Sequence, residues 1–90
     1  MKERIENFSE EIEKNNIKAC FGIPGSGLTL SLIDALEKKG ISFYLNQFEG
    51  SGSLMASTFG KVTNSVGLSL SIKGPGLANS VSGIAASWHY

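Results

Sequence analysis

The chain has 90 residues, eight basic and eight acidic side chains and 41% hydrophobic residues, a composition that fits one soluble globular domain at most. Zero formal net charge excludes the basic footprint of a nucleic-acid binder, and a single cysteine, Cys20, excludes an internal disulfide and suits a reducing compartment. A chain this short buries only about 60–65% of the surface it exposes when unfolded, so a partner surface or further sequence is expected to support its core.

The opening Met1-Lys2-Glu3-Arg4 is charged and leads into no apolar core, so it does not read as a signal peptide. Ile5, Phe8 and Ile12 recur at helical spacing between Glu and Lys residues, and residues 2–15 are expected to form an amphipathic helix whose Met1-Ile5-Phe8-Ile12 stripe packs inward. Asn15-Asn16 breaks it. Lys18 to Ile23 is a short apolar run ending in Pro24-Gly25, the pattern of a buried strand entering a tight loop. The uncharged stretch from Ala19 to Ile33 is interrupted by Pro24, Gly25 and Gly27 and is too short to span a bilayer. A cytoplasmic protein without a membrane segment is the expectation.

Leu28, Leu32, Ile33 and Leu36 form a second helical stripe, closed by Lys38-Lys39 and Gly40 as helix ends commonly are. Ile41 to Phe48 is rich in β-branched and aromatic residues and reads as a second strand. Gly50 to Lys61 reads as a helix whose small residues let it lie close to its neighbours. Val66, Leu68, Leu70 and Ile72 then alternate with Gly67, Ser69 and Ser71, which predicts a strand with one branched apolar face and one face small enough for a helix to press on. Lys73-Gly74-Pro75-Gly76 makes a turn, and Leu77 to Trp88 begins a single further helix. The alternation predicts a three-layer α/β/α fold with a short parallel sheet of about three strands, flanked by helices. Residues 1–90 are expected to be an incomplete domain, because three strands are few and no return strand follows His89-Tyr90.

In open parallel sheets ligands bind beyond the carboxyl ends of the strands. The three strand ends here are Ile23-Pro24-Gly25-Ser26-Gly27, Phe48-Glu49-Gly50-Ser51-Gly52 and Lys73-Gly74-Pro75-Gly76, and all are glycine-rich, which allows close backbone approach to a ligand. Glu49 is the one carboxylate among them. Enclosed between an apolar strand and an uncharged helix it would give and take a proton near neutrality; the alternative is a first-turn glutamate complementing the helix dipole. The first loop has neither dinucleotide-fingerprint nor P-loop spacing, and Pro24 removes a donor an anion would use. Cys20, with no nearby base, reads as core, and His89 has no partners at metal-ligand spacing.

The runs FGIPGSGLTLSLIDAL and FEGSGSLMASTFGKVTNSVGLSLSIKGPGLANSVSGIAAS resemble the pyrimidine-binding domain of thiamine-diphosphate enzymes of the acetolactate synthase and 2-oxo-acid decarboxylase group. That family carries a Gly-x-Pro-Gly loop after the first strand, a glutamate at the end of the second, and Gly-Pro-Gly-x-x-Asn after the third. The resemblance spans residues 15–88 with the elements in that order. It implies that Glu49 hydrogen-bonds N1′ of the cofactor's aminopyrimidine and favours the imino tautomer, whose nitrogen removes the thiazolium C2 proton, so that the ylid attacks a small 2-oxo acid. It implies that Pro24 and Gly25 line the pyrimidine pocket, and that Gly74, Pro75, Gly76 and Asn79 shape its floor. Asn79 has a second reading, a first-turn side chain satisfying backbone donors of the last helix.

Two positions depart from the pattern: Phe48 stands where the family often has histidine, and Lys73 where Ser or Thr is common. A cation at Lys73 either meets an acidic substrate group or faces solvent or a partner's carboxylate. The family's diphosphate and Mg²⁺ lie on a separate domain with a Gly-Asp-Gly motif and a downstream Asn, absent from these 90 residues. The resemblance therefore implies a diphosphate-binding domain or subunit as partner, a homo- or hetero-oligomer, and no turnover by the chain alone. The alternative function is a non-catalytic module that docks on a related full-length protein, a reading favoured by the charge-poor half from Gly50 to Tyr90, which holds only Lys61 and Lys73.

Overall fold

The computed structural model describes residues 2–25, 27–72 and 74–89. In chain order the elements are α1 (Lys2–Lys14), β1 (Ala19–Gly22), α2 (Leu28–Glu37), β2 (Ser42–Leu45), α3 (Glu49–Thr63), β3 (Leu68–Leu70), α4 (Pro75–Asn79) and α5 (Val81–His89). The strands form a parallel sheet in the order β2-β1-β3, with Cys20 opposite Phe43 on one side and Leu68 on the other. The expected α/β class and parallel sheet are therefore present, with α1 and α2 on one face and α3 on the other.

β1 is central and buried at all four positions. Alternation sends its side chains to opposite faces. Cys20 joins Ile12, Ile17, Leu32, Leu36 and Ile41 in one cluster, against which Leu68 and Leu70 of β3 pack. Ala19 and Phe21 face Ala56 of α3 on the other side, where the Phe21 ring stacks on Tyr44 at 5.4 Å and meets Phe59 edge-on at 5.6 Å. The predicted small face of the third strand is used as expected. A Cβ placed on Gly67 would run into the Ala56 carbonyl, so α3 lies directly on the residue that leads into β3.

Four expectations are corrected by packing. Phe8, placed on the inward stripe of α1, is 55% exposed; the buried α1 positions are Ile12 and Ser9, whose hydroxyl donates to the Glu6 carbonyl at 2.8 Å and so needs no outside partner. The second strand stops at Leu45 rather than Phe48: the Asn46 N–H makes the last ladder bond, to the Gly22 carbonyl at 2.8 Å, and the chain then enters α3 through Phe48. The third strand shrinks to Leu68–Leu70, with Val66 58% and Ile72 41% exposed outside it. The last helix is two helices, interrupted at Ser80. The buried Ser80 carbonyl accepts from the Ser53 hydroxyl at 2.9 Å, and the Ser80 hydroxyl turns back to the Gly76 carbonyl at 3.0 Å. Polar contacts to α3 thus fix the point at which the helix axis breaks.

The helix ends follow their sequence signals. Lys38 caps α2 and Gly40 adopts φ 80° after it, a left-handed conformation that glycine takes without a Cβ penalty. Lys39 then reaches back across α1 and donates to Glu6 Oε1 at 2.7 Å, which holds the lysine's proton affinity above its ordinary value.

Candidate functional site

The three strand-end loops meet at the carboxyl edge of the sheet. A Cβ on Gly25 would collide with the Ile72 side chain, and one on Gly76 would stand 2.9 Å from Ile72 Cγ1 and 3.6 Å from Glu49 Oε2. The first loop therefore rests on Ile72 of the third, and the third passes beside the carboxylate that opens α3. Only glycine at 25 and 76 allows this approach without displacing the neighbours. Ile72 was read from the sequence as a strand residue, yet it is the piece against which both glycines sit.

Glu49 is the first residue of α3, three residues beyond Asn46 and preceded by Phe48 in extended conformation at the N-cap. Gly50, Ser51 and Gly52, which end the second strand's loop and open the helix expected from Gly50, complete the first turn of α3 with Glu49. Their smallness serves packing: a Cβ on Gly52 would lie 3.0 Å from the Gly22 Cα, and one on Gly50 would lie 3.1 Å from the Asn79 carbonyl. The Glu49 carboxylate is half-buried rather than enclosed, and the first turn of α3 favours its negative charge through the aligned peptide dipoles. Its Oε1 accepts a hydrogen bond from Asn79 Nδ2 at 3.3 Å. Asn79 is the last residue of α4, so its side chain bonds to Glu49 instead of serving a first-turn backbone donor.

The remaining expected site residues are less closely gathered. Pro24 is half-buried beside Gly25. Gly74, at φ 78°, is the N-cap of α4, and Pro75 occupies its first turn, where a missing N–H costs no helical bond; both are exposed. Lys73 and Ser26 lie outside the described residues. Among the described residues no group of three or more His, Cys, Asp or Glu could hold a metal ion, and no helix is long and apolar enough to cross a membrane.

One residue at this edge gave no signal in the sequence. Asn46 donates through Nδ2 to Met55 Sδ at 2.9 Å, while its buried Oδ1 has no hydrogen-bond partner. Cys20, at the other extreme, is inert core. Burial, aided by the negative charge of Glu37, pushes its thiol from an ordinary 9.0 up to about 11, so it stays protonated at neutral pH.

Residues 5–90 match the family model for the thiamine pyrophosphate enzyme N-terminal TPP-binding domain. The chain belongs to this family. As a TPP-binding domain it is 40% identical over 78 residues to the acetolactate synthase large subunit of Cyanidium caldarium, a match covering 82% of this chain and 13% of that protein. It is 31% identical over 86 residues to sulfoacetaldehyde acetyltransferase of Roseovarius nubinhibens, covering 94% of this chain and 14% of the relative. It is 32% identical over 79 residues to the 2-hydroxyacyl-CoA lyase of Saccharomyces cerevisiae, covering 88% and 14%. The chain thus spans 13–14% of the length of these curated relatives.

The residues present suit the pyrimidine end of that cofactor. An ionised carboxylate only accepts hydrogen bonds, and it has room for about four. Asn79 occupies one site on Oε1, and capacity remains on Oε2 for a ring N–H. The glycines at 25 and 76 keep the adjoining loops packed together around it.

Proposed function

We propose that this TPP-binding domain forms the pyrimidine side of a thiamine diphosphate site in an enzyme that decarboxylates or ligates small 2-oxo acids, with Glu49 as the proton-handling residue. The observation that carries this reading is the position of the Glu49 carboxylate where the three strand-end loops converge, inside the segment that matches the family. Thiamine diphosphate, when bound, supplies the electron sink that such chemistry requires.

The roles of the chain's own residues follow from their placement. Glu49 holds or releases a proton at its carboxylate against the ring nitrogen of the cofactor. Pro24 and Gly25 bound the pyrimidine on one side through backbone and van der Waals contact. Gly76 and Asn79, with Gly74 and Pro75 at the mouth, form the floor. Phe48, 49% exposed at the N-cap, gives the site an apolar wall once it is covered. The diphosphate and its Mg²⁺ belong to a separate domain or subunit, and the site is completed at that interface in a cytoplasmic oligomer. On this reading residues 1–90 are part of a domain and do not turn over substrate alone.

Replacing Glu49 with Gln keeps the shape and removes the proton. In the assembled enzyme, kcat is expected to fall by about 10²–10⁴-fold, the usual contribution of a positioned acid-base group. Near-normal turnover in Glu49→Gln would contradict the assignment.

A second reading rests on the exposed apolar side chains of α3 and α5, including Val62 at 80% and Trp88 at 93%. Such a surface suits a non-catalytic module docked on a related full-length protein. It predicts tight association with that protein and no change in its activity on Glu49→Gln.

A further inference from the structure

The contact between Glu49 and Asn79 joins residues 30 positions apart, and four features of the packing hold it in place. The buried Ser53 hydroxyl, one turn beyond Glu49, donates to the Ser80 carbonyl at 2.9 Å. The Ser80 hydroxyl returns to the Gly76 carbonyl at 3.0 Å, which fixes the end of α4 against its own beginning. The Asn79 carbonyl stands 3.1 Å from where a Cβ on Gly50 would be, so α4 and the first turn of α3 are in backbone contact. A Cβ on Gly83 would collide with Ser53 Oγ and stand 2.6 Å from the Leu54 N, which seats α5 equally close. The Asn79 backbone is thus held by the contacts at Gly50, Gly76 and Ser80, and its side chain reaches Glu49 from there.

We propose that Asn79 is a positioning residue: its amide holds Oε1 of Glu49, and so leaves Oε2 as the oxygen that meets the ligand. This rests on the assignment of Glu49 above and extends it to a residue acting through the carboxylate. A carboxylate on a glutamate has three rotatable bonds, and an amide donor on one oxygen removes most of that freedom before any ligand arrives. The surrounding elements supply little competing charge: β3 and α4 carry no ionisable side chain, α3 carries only Glu49 and Lys61, and His89 is the last residue of α5.

The test has two arms. The first needs no cofactor. In the full chain labelled with ¹⁵N, the Asn79 side-chain amide signal is expected to move in a single step as pH is lowered and Glu49 takes up its proton. That step is absent in Glu49→Gln, while the backbone spectrum elsewhere is unchanged. An Asn79 amide signal insensitive to both pH and Glu49→Gln would overturn the proposal, whatever the cofactor proves to be.

The second arm uses the assembled enzyme and Asn79→Ala, an exposed position where alanine favours the helix. kcat is expected to fall about 10-fold with KM for the 2-oxo acid nearly constant, the loss typical of one hydrogen bond to a charged group. In a Glu49→Gln background the same substitution is expected to have less than about a 2-fold effect, since there is no carboxylate left to position. An equal loss in both backgrounds would mean a purely structural role and would overturn the proposal. A normal Glu49→Gln enzyme together with a pH-dependent Asn79 signal would instead refute the cofactor reading and leave the contact standing. Should Asn79→Ala not fold, Asn79→Ser keeps a short polar side chain unable to span to Glu49 and is read in the same way.

Discussion

The two faces of the sheet are built on opposite principles. On the α1/α2 face, branched side chains fill volume: Ile12, Ile17, Leu32, Leu36 and Ile41 are all buried around Cys20, and Leu36 and Cys20 are fully so. On the α3 face, backbones come close because side chains are missing, with Gly67 under Ala56, Gly52 against Gly22 and Gly83 against Ser53. Polar bonds such as Ser53 to Ser80 supply the specificity there that shape complementarity supplies on the other face. The first face stabilises, at about 25 cal/mol per Å² of apolar surface buried. The second face positions, and the side chain it positions is Glu49.

Substitutions that cross these principles should separate the faces. The largest stability effect is expected from Leu36→Ala, which leaves a cavity in the large apolar cluster of the α1/α2 face and costs about 3–4 kcal/mol. Urea denaturation would read it as a lowered midpoint at unchanged slope. A loss below about 1 kcal/mol would mean that this cluster is not the stabilising core.

Gly67→Ala adds a single methyl to the opposite face and should cost about 2–3 kcal/mol, because the obstacle is the Ala56 backbone carbonyl and no rotamer can yield. Gly27→Ala, with open space at the Cβ but φ 67°, should cost only about 1 kcal/mol. Equal losses from the two glycine substitutions would show that close approach is not what the α3 face depends on.

A further effect is pH-dependent. Cys20 has a folded-state thiol raised to about 11 from 9.0 by burial first and by the charge of Glu37 second. Its neutral form therefore favours the fold below pH 9.0, and that contribution is lost as pH rises through about 11. Stability should decline by on the order of 2 kcal/mol across this interval and the decline should be absent in Cys20→Ala. A slope of the same size in both proteins would place the alkaline sensitivity elsewhere.

The same contrast explains which features the sequence disclosed. The stabilising face announces itself by periodicity, so α2, the alternation through Leu68 and Leu70, and the buried run at β1 were all visible as apolar patterns. Glycine-rich strand ends likewise pointed to the edge where Gly25, Ile72, Gly76 and Glu49 come together. Contacts made by small polar residues across long sequence distances left no periodic trace. The break at Ser80 depends on Ser53, 27 residues earlier, and the partner of Glu49 is Asn79, 30 residues later. The exposure of Phe8 was hidden for a related reason: a regular stripe says which residues share a helix face, and Ser9, able to satisfy its own hydroxyl on Glu6, occupies the tighter position.

The central claim, that Glu49 stands at the pyrimidine end of a thiamine diphosphate site completed by another domain, is tested most directly by calorimetry. Thiamine diphosphate with Mg²⁺ would be titrated into this chain alone and into its mixture with a domain carrying the Gly-Asp-Gly diphosphate motif. The account predicts binding in the mixture only, weakened by Glu49→Gln. Absence of binding in the mixture, with both components folded and associated, would contradict it.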